Sequence, residues 1–170
     1  MQITAQAQFA DNLARWQELL ADRELARLSH RIETDRLGRI IMTPPPSLTH
    51  GSRQFEIARA LATLLPGGRV ITQCPLSTAD GVKAIDVAWL ARGRTEVEKG
   101  DLVLELAPEI CVEILSPSNS TEEMAEKRAL YFEAGAREVW TCELDGRMSF
   151  YCGGDLCEDS ELCSWFPKHI

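Results

Sequence analysis

The sequence contains no apolar run long enough to cross a membrane, and its first residues, MQITAQAQFADNLARW, carry neither a basic segment nor an apolar one. A membrane-spanning helix needs about 20 mostly apolar residues, and a secretory leader needs a basic start followed by an apolar stretch. We therefore expect a cytoplasmic protein that has no membrane partner.

The CxxC motif is also missing from the six cysteines. Three of them lie singly in apolar runs, where a free cysteine behaves as a small hydrophobe. Close thiol and imidazole pairs are typical of structural zinc sites, so the spacing favours free thiols. The alternative is a zinc or redox site formed by the three cysteines near the C-terminus, which are Cys152, Cys157 and Cys163.

Positive charge is scarce, since the formal net charge is −8 and the isoelectric point is about 4.9. This balance argues against a surface coated with basic residues for non-specific nucleic-acid binding. A local basic patch is compatible with it, and so is a solvated helix face balanced by Asp22, Glu24 and Glu33. The arginines concerned are Arg23, Arg27, Arg31, Arg36 and Arg39.

The composition is otherwise that of a folded globular protein, with 45% hydrophobic and 26% charged residues among 170. A chain of this length can bury most of its apolar surface around one core. No repeat, low-complexity tract or long linker marks a boundary. We therefore predict a single domain over residues 1–170.

Apolar periodicity predicts an N-terminal amphipathic helix over about residues 5–21 and two further helices over about 48–65 and 121–135. Short β-branched or apolar segments bounded by glycine, proline or Asp-Gly turns are typical of strands. This order of helices and strands predicts an α/β or α+β domain built on a mixed β-sheet. The predicted strands are a short one in RLGRIIMTP and others over 69–76, 84–91, 102–106, 109–116, 137–144 and 147–154.

Three charged residues lie where the pattern predicts burial. Glu113 lies in the apolar segment ICVEIL, and Asp86 lies in AIDVAWL. Because side chains alternate between faces along a strand, both faces of each segment are apolar apart from these acids. Lys127 lies in the apolar stripe of the third helix, together with Met124 and Tyr131.

Each of these charges alone has a structural explanation, such as an acid that reaches water, a lysine that extends along its stem or a buried ion pair. Together they are harder to accommodate, because one uncompensated buried charge costs roughly 3–5 kcal/mol against a net stability of about 5–15 kcal/mol. We therefore expect Asp86, Glu113 and Lys127 to meet at one site. Two carboxylates and a strand carbonyl, that of Ile114, suit Mg²⁺ or Mn²⁺, and a nearby ammonium suits hydrolysis of a phosphodiester.

A family resemblance is carried by five segments, in the order MTPPPSLTHG, AIDVAWL, VEILSPS, EKRALYFEAG and REVW. Together they resemble the Uma2 family over roughly residues 32–151, and VEILSPS followed by KxxxY is the most specific part. That family is grouped with the PD-(D/E)XK nuclease superfamily. The resemblance implies a restriction endonuclease-like mixed sheet flanked by helices, in a protein that cuts nucleic acid with Mg²⁺.

The resemblance also implies roles for individual residues. Asp86 and Glu113 would be the metal-binding acids. The superfamily pattern has its lysine two residues after the second acid, where this chain has Leu115. Lys127 would then be a migrated replacement that reaches the same space from the helix. Ile85 stands where the pattern has proline, which concerns strand geometry more than chemistry.

Four further residues are candidates for substrate binding. His50 begins a predicted helix, whose N-terminus attracts anions, so it could contact a phosphate or else cap the helix. Arg53 and Gln54 follow it closely, with an exposed helix face as the alternative. Tyr131 shares the stripe of Lys127, which favours packing over a hydrogen bond to the site.

These observations lead to one hypothesis and one rival. The hypothesis is a Mg²⁺-dependent endonuclease of restriction type that acts on DNA, and a homodimer is expected by analogy with enzymes that cut both strands. The rival is a catalytically inactive nuclease fold that serves as a binding or regulatory scaffold, motivated by the acidic pI and the missing proline. No motif in the sequence indicates which DNA bases would be recognised.

Overall fold

The computed structural model describes residues 4–94, 102–117 and 119–170. Its elements follow the alternation of helices and strands that the sequence predicts, and the first helix has the predicted bounds. No helix within the described ranges is both long and apolar enough to span a bilayer. The helices are α1 (Ala5–Ala21), α2 (Leu48–Leu64) and α3 (Thr121–Glu133), and the strands are β1 (Arg31–Thr34), β2 (Ile40–Thr43), β3 (Arg69–Thr78), β4 (Gly81–Leu90), β5 (Ile110–Ile114), β6 (Glu138–Cys142), β7 (Met148–Cys152) and β8 (Asp155–Cys157).

Strands β3 to β8 form one six-stranded sheet in sequence order. All neighbours are antiparallel except β5 and β6, which are parallel and joined by α3 as a crossover helix. The predicted mixed sheet is therefore confirmed. β1 and β2 form a separate antiparallel pair.

The small sheet approaches the large one at the start of β4. Val82 donates its backbone N–H to the hydroxyl of Thr34 at 2.8 Å. Gly81 makes this approach sterically feasible, because a Cβ there would lie 2.5 Å from the carbonyl oxygens of Thr34 and Asp35. Its φ of +83° also favours glycine. β1 is thereby placed over β4, next to Asp86.

Apolar side chains fill both faces of the six-stranded sheet, as the alternation along β5 predicts. Ile110, Val112 and Ile114 belong to the core cluster that includes Ile57 of α2. Cys111, between them, belongs to the opposite cluster with Tyr131 of α3. Glu113 therefore points to the α3 side of the sheet.

Both ends of α3 are capped. The Ser120 hydroxyl accepts from the backbone N–H of Glu123, and the Glu123 side chain accepts from the N–H of Ser120 in return. Past the last turn, Gly135 has a φ of +104°, which suits the residue that follows a helix. These two ends fix the register that points Lys127 inward.

Three details of the fold differ from the predictions. The strand predicted over 102–106 is wrong, because this segment makes only one isolated bridge, from Leu104 to Leu76. Strands β1 and β8 were not predicted. A single helix face for the arginines is also wrong, since a 3₁₀ turn (Leu25–Arg27) and the two short strands occupy that region. Residues 95–101, which lie in the sequence between the strands predicted over 84–91 and 102–106, are outside the described residues.

Candidate functional site

A cavity of about 660 Å³ opens at one end of the sheet, between β1, the start of α2, the end of β5 and the middle of α3. Its polar lining comes from segments far apart in sequence, and residues from the predicted site take part in it. Among the lining residues are Arg31, Glu33, His50, Glu113, Ile114 and Lys127.

Asp86 lies under the floor of this cavity and is fully buried. Its Oδ1 accepts from Arg31 Nη1 at 2.8 Å and from Gln73 Nε2 at 3.1 Å. Its Oδ2 accepts from the backbone N–H of Ile114 at 2.8 Å and lies 3.2 Å from His50 Nε2. Four groups from four different elements therefore fix one carboxylate.

The pairing of β4 with β5 explains how Asp86 reaches the end of β5. The ladder between these strands pairs Trp89 with Ile110 and ends where Val87 pairs with Val112. Beyond that point the carboxylate of Asp86 receives the N–H of Ile114. A side chain thus satisfies a buried backbone donor at the point where the strands stop pairing.

Glu113 is 4% exposed and faces α3. Its Oε1 accepts from the hydroxyl of Tyr131 at 2.6 Å, and its Oε2 accepts from Lys127 Nζ at 3.1 Å. Lys127 and Tyr131 are four residues apart on α3, which places them on one face of the helix. The inward stripe of α3 therefore supplies both donors.

A third carboxylate, Glu33 of β1, joins the two predicted acids. Its Oε1 accepts from Lys127 Nζ at 3.0 Å, from Arg31 Nη2 at 2.7 Å and from the backbone N–H of Ala84 at 3.1 Å. Glu33 is 7% exposed. Lys127 is therefore shared by Glu33 and Glu113.

The guanidinium of Arg31 lies between all three acids. It bonds Asp86 and Glu33 directly, and its Nη2 lies 3.6 Å from Glu113 Oε2. It also donates to the carbonyl of Ala84. Arg31 thus connects Asp86 to the Glu113–Lys127 pair.

Neither Arg31 nor Glu33 was predicted as a site residue. Their surroundings in the sequence, RIETDRLGR, are polar, and only Ile32 indicates a strand. The available signal was the pair of opposite charges two residues apart, since a strand places such residues on one face. Without knowledge of where β1 lies, that pair could not be assigned to the site.

Charge balance sets the pKa values of the acids. Burial alone would raise the pKa of Asp86, but the hydrogen bond from His50 and the charge of Arg31 hold it below its ordinary value. Burial acts on Glu33 in the same way, and there Lys127 and Arg31 lower the pKa. For Glu113, burial prevails and raises the pKa despite the charge of Lys127. Glu113 is therefore the acid of this group that takes up a proton most readily.

Lys127 and Tyr131, which donate to Glu113, both have raised pKa values. Burial would lower the pKa of Lys127, but Glu113 and Glu33 raise it above its ordinary value. Burial, reinforced by the charge of Glu113, raises the pKa of Tyr131 well above its usual range. At neutral pH the site thus holds an ammonium and a neutral phenol, and neither serves as a proton acceptor.

Residues of α2 and β3 also contact Asp86. His50 lies one turn inside the N-terminus of α2, and Gln54 follows one turn later. Gln54 Oε1 accepts from Gln73 Nε2 at 3.4 Å, and Gln73 also donates to Asp86. The backbone of Gln73 has a φ of +52°, which is rare for residues other than glycine. His50 and Gln54 both line the cavity.

Arg53 lies elsewhere. Its guanidinium pairs with Glu56 Oε2 at 2.9 Å and donates to the carbonyls of Asp145 and Ile170. These contacts hold the C-terminal segment against α2. The structure does not bring Arg53 to the cavity.

The donor types suit a hard divalent cation, but oxygens of the three carboxylates do not all lie within 4.8 Å of one another. Three carboxylates face two permanent cations, Arg31 and Lys127, so the cluster retains excess negative charge. Carboxylate oxygens are the ligands that Mg²⁺ and Mn²⁺ prefer in proteins. Arg31 now lies between the carboxylates, so an ion that binds Asp86 and Glu113 together has to take its place.

Comparison with known proteins adds the family. The Uma2 family model, described as "Putative restriction endonuclease", matches residues 16–153. A solved structure described as a "putative nuclease belonging to DUF820" from Anabaena variabilis ATCC 29413 has a TM-score of 0.67 and 18% sequence identity, and the match covers 82% of this chain and 86% of that one. This likeness supports the predicted nuclease-like fold class, and no curated protein matches. Because the family model spans most of the sequence, the chain belongs to the Uma2 family.

Proposed function

We propose that the protein is a Mg²⁺- or Mn²⁺-dependent endonuclease that hydrolyses DNA phosphodiester bonds at this cavity. The observation that carries the proposal is that Glu113 and Lys127, an ion pair at 3.1 Å, line one cavity open to solvent, while Arg31 links them to the buried Asp86. Membership of a family whose model is described as "Putative restriction endonuclease" supports the same reaction class. A purely structural ion cluster would have no need of a cavity of this size beside it.

Asp86 and Glu113 would hold the metal ion, with the carbonyl of Ile114 as a third ligand. When bound, the ion would supply Lewis-acid activation of the attacking water and neutralise charge on the phosphate. Glu33 adds a third carboxylate within reach of the same ammonium. Arg31 would leave its place between the acids, and its charge would then be available to a phosphate oxygen.

Lys127 stabilises negative charge in this proposal. Its raised pKa keeps the ammonium protonated, so it donates hydrogen bonds to the attacking water or to the phosphate oxygens and does not remove a proton. Its two carboxylate partners, Glu33 and Glu113, hold the amine at the cavity wall.

Tyr131 and His50 are proposed as positioning residues. The phenol of Tyr131 orients Glu113 through a 2.6 Å hydrogen bond, and His50 contacts the same Asp86 oxygen that Ile114 binds. Gln54, which lines the cavity, remains a candidate for contact with DNA.

A second candidate function, a catalytically inactive scaffold, is favoured by one observation. Arg31 and Lys127 already bond all three acids, which is the arrangement expected if the cations neutralise the acids permanently. Calorimetric titration with Mn²⁺ separates the two functions. A scaffold binds no Mn²⁺ that depends on Asp86 and Glu113.

The proposal is tested by metal-dependent cleavage of supercoiled plasmid. Wild type is compared with Asp86→Asn, Glu113→Gln and Lys127→Ala at equal concentration, with Arg53→Ala as a matched variant from the same domain that lies outside the cavity. We expect cleavage by wild type and by the Arg53 variant, and rates about a thousandfold lower for the other three. Equal cleavage by all five proteins would exclude this site.

Two further proposals concern assembly and location. Two copies would pair to cut both strands of a duplex, which sedimentation of the purified protein tests by its mass. A cytoplasmic location stays a prediction from the sequence.

A further inference from the structure

A second group of ligating side chains lies at the β8 edge of the sheet, on the hairpin of β7 and β8, and none of its members lines the cavity. Cys152 ends β7, Cys157 ends β8, and Glu161 follows in the C-terminal segment. One ligand atom from each, two sulfurs and one carboxylate oxygen, lies within 4.8 Å of the others. We propose that these three residues bind one zinc ion.

The hairpin register brings the two sulfurs to one face. Cys152 pairs with Asp155, and Cys157 pairs with Phe150. Paired residues share a face, and so do residues two apart on one strand, so Cys152, Asp155 and Cys157 all point to the same side. The turn between the strands consists of Gly153 and Gly154, whose φ values of +59° and +105° allow the tight reversal.

The third ligand is held in place by its neighbours. Ser160 donates its hydroxyl to Glu138 Oε2 at 2.7 Å, and Leu162 donates its backbone N–H to Glu138 Oε1 at 2.6 Å. Glu161 lies in the chain between these two anchors. These anchors hold Glu161 where one of its carboxylate oxygens lies within 4.8 Å of both sulfurs.

The chemistry of the ligands selects the metal. Thiolate sulfur prefers zinc over Mg²⁺ or Mn²⁺, and a spacing of four residues between cysteines falls within the range of known zinc sites. Binding releases the two thiol protons to solvent. Three protein ligands leave a fourth position of the tetrahedron for water or another ligand. Cys163 takes no part, because it is buried in the core cluster of Phe166.

The site would attach the last residues to the sheet. Residues after β8 form no helix or strand, yet Phe166 packs on Trp140 with ring centroids 4.6 Å apart. A zinc ion shared by the hairpin and Glu161 adds a cross-link at the start of this segment. Zinc would therefore raise the unfolding temperature of the whole protein by roughly 5 °C or more at saturation.

The test uses the full chain, kept reduced and stripped with a chelator, and then titrated with Cd²⁺ or Co²⁺ as spectroscopic substitutes for zinc. We expect thiolate-to-metal charge-transfer absorption that saturates at one ion per chain. Cys152→Ser and Cys157→Ser should abolish it. Glu161→Gln should weaken binding by about tenfold. Glu158→Gln, an exposed acid of the same segment, is the matched control and should leave binding unchanged.

Two results would overturn the proposal. One is the absence of charge-transfer absorption in reduced wild type. This result includes the case in which Cys152 and Cys157 are first found as a disulfide and the protein still binds no metal after reduction. The other is retention of the absorption in Cys152→Ser shown to be folded by circular dichroism. Asp86→Asn should keep the absorption, since oxygen ligands produce no such band, so this test is independent of the nuclease proposal.

Discussion

Glu113 and Glu138 are two buried glutamates on neighbouring parallel strands, and they are satisfied in different ways. Glu113 on β5 meets an ammonium, a phenol and, at 3.6 Å, a guanidinium, beside an open cavity. Glu138 on β6 accepts from three neutral donors, namely the indole of Trp140 and two groups of the C-terminal segment. Burial alone therefore does not distinguish a candidate catalytic acid from a structural one.

The two glutamates differ in whether an incoming ligand could displace the groups that donate to them. Two of the donors to Glu138 belong to side chains that are themselves buried, those of Trp140 and Ser160. The cations around Glu113 are the ends of long side chains, which can turn away when an ion enters. The network of Glu113 is therefore exchangeable, whereas that of Glu138 is fixed.

The largest expected effect is on cleavage. Glu113→Gln should lower the rate of metal-dependent plasmid cleavage by about a thousandfold, because a lost metal ligand removes several kcal/mol of transition-state stabilisation. Glu138→Gln should stay within a few-fold of wild type when both are assayed at a temperature at which circular dichroism shows them folded. Similar losses of cleavage activity in both variants would show that Glu113 and Glu138 do not differ in their role.

For the free energy of unfolding, we expect the larger effect at Glu138 and the smaller one at Glu113. Glu138→Ala leaves three buried donors without an acceptor and should lower the free energy of unfolding by about 3 kcal/mol. Glu113→Gln should change it by only about 1 kcal/mol, because burial already favours the neutral form of this side chain. Urea unfolding at pH 7 measures both values. A greater loss in Glu113→Gln would mean that its cations are as fixed as the donors to Glu138.

The exchangeable character of the Glu113 network can be tested at Arg31. Arg31→Gln should raise the affinity for Mn²⁺ by about tenfold in calorimetry, because the ion no longer competes with the guanidinium. Arg147→Gln, which removes an exposed arginine paired with Glu143, is the matched control. Weaker Mn²⁺ binding in Arg31→Gln would instead show that Arg31 organises the acids for the ion.

The smallest effect concerns pH. Glu113 has a raised pKa when folded, so its contribution to stability is present below about pH 4.5 and is lost as pH rises through the folded pKa. Relative to wild type, Glu113→Gln should therefore gain stability as pH rises from about 4 to 7. Asp86 has a lowered pKa, so its contribution to wild-type stability is lost as pH falls. Asp86→Asn should therefore lose stability relative to wild type as pH rises through the acid range. Urea midpoints between pH 3 and 7 that change in the same direction for both would contradict these assignments.

Local pattern sufficed for most of the fold. Capping at Ser120, the alternation along β5 and the Asp-Gly turn before β7 are short-range properties, and the elements that they predict are present. The segment 102–106 failed because an apolar run fixes neither a strand nor its partner, and here it packs with only one bridge. β8 has three residues, too few for any periodicity.

The site was predictable only where a charge interrupts an apolar pattern. Asp86, Glu113 and Lys127 stand out in that way, and all three lie at the cavity or under its floor. Glu33 and Arg31 lie in a polar stretch and become site residues only because β1 crosses β4, a contact between positions about fifty residues apart. The reach of Arg53 to Ile170, away from the cavity, likewise depends on where the chain ends in space.

The left-handed backbone of Gln73 makes β3 less stable than it could be. A residue other than glycine in that region costs about 1 kcal/mol or more, and Gln73→Gly would remove this strain together with the amide that Asp86 accepts. Such a variant should melt at a higher temperature and hold its aspartate less firmly. Selection for thermostable variants of this protein would therefore favour replacement of Gln73 and so remove its hydrogen bond to Asp86.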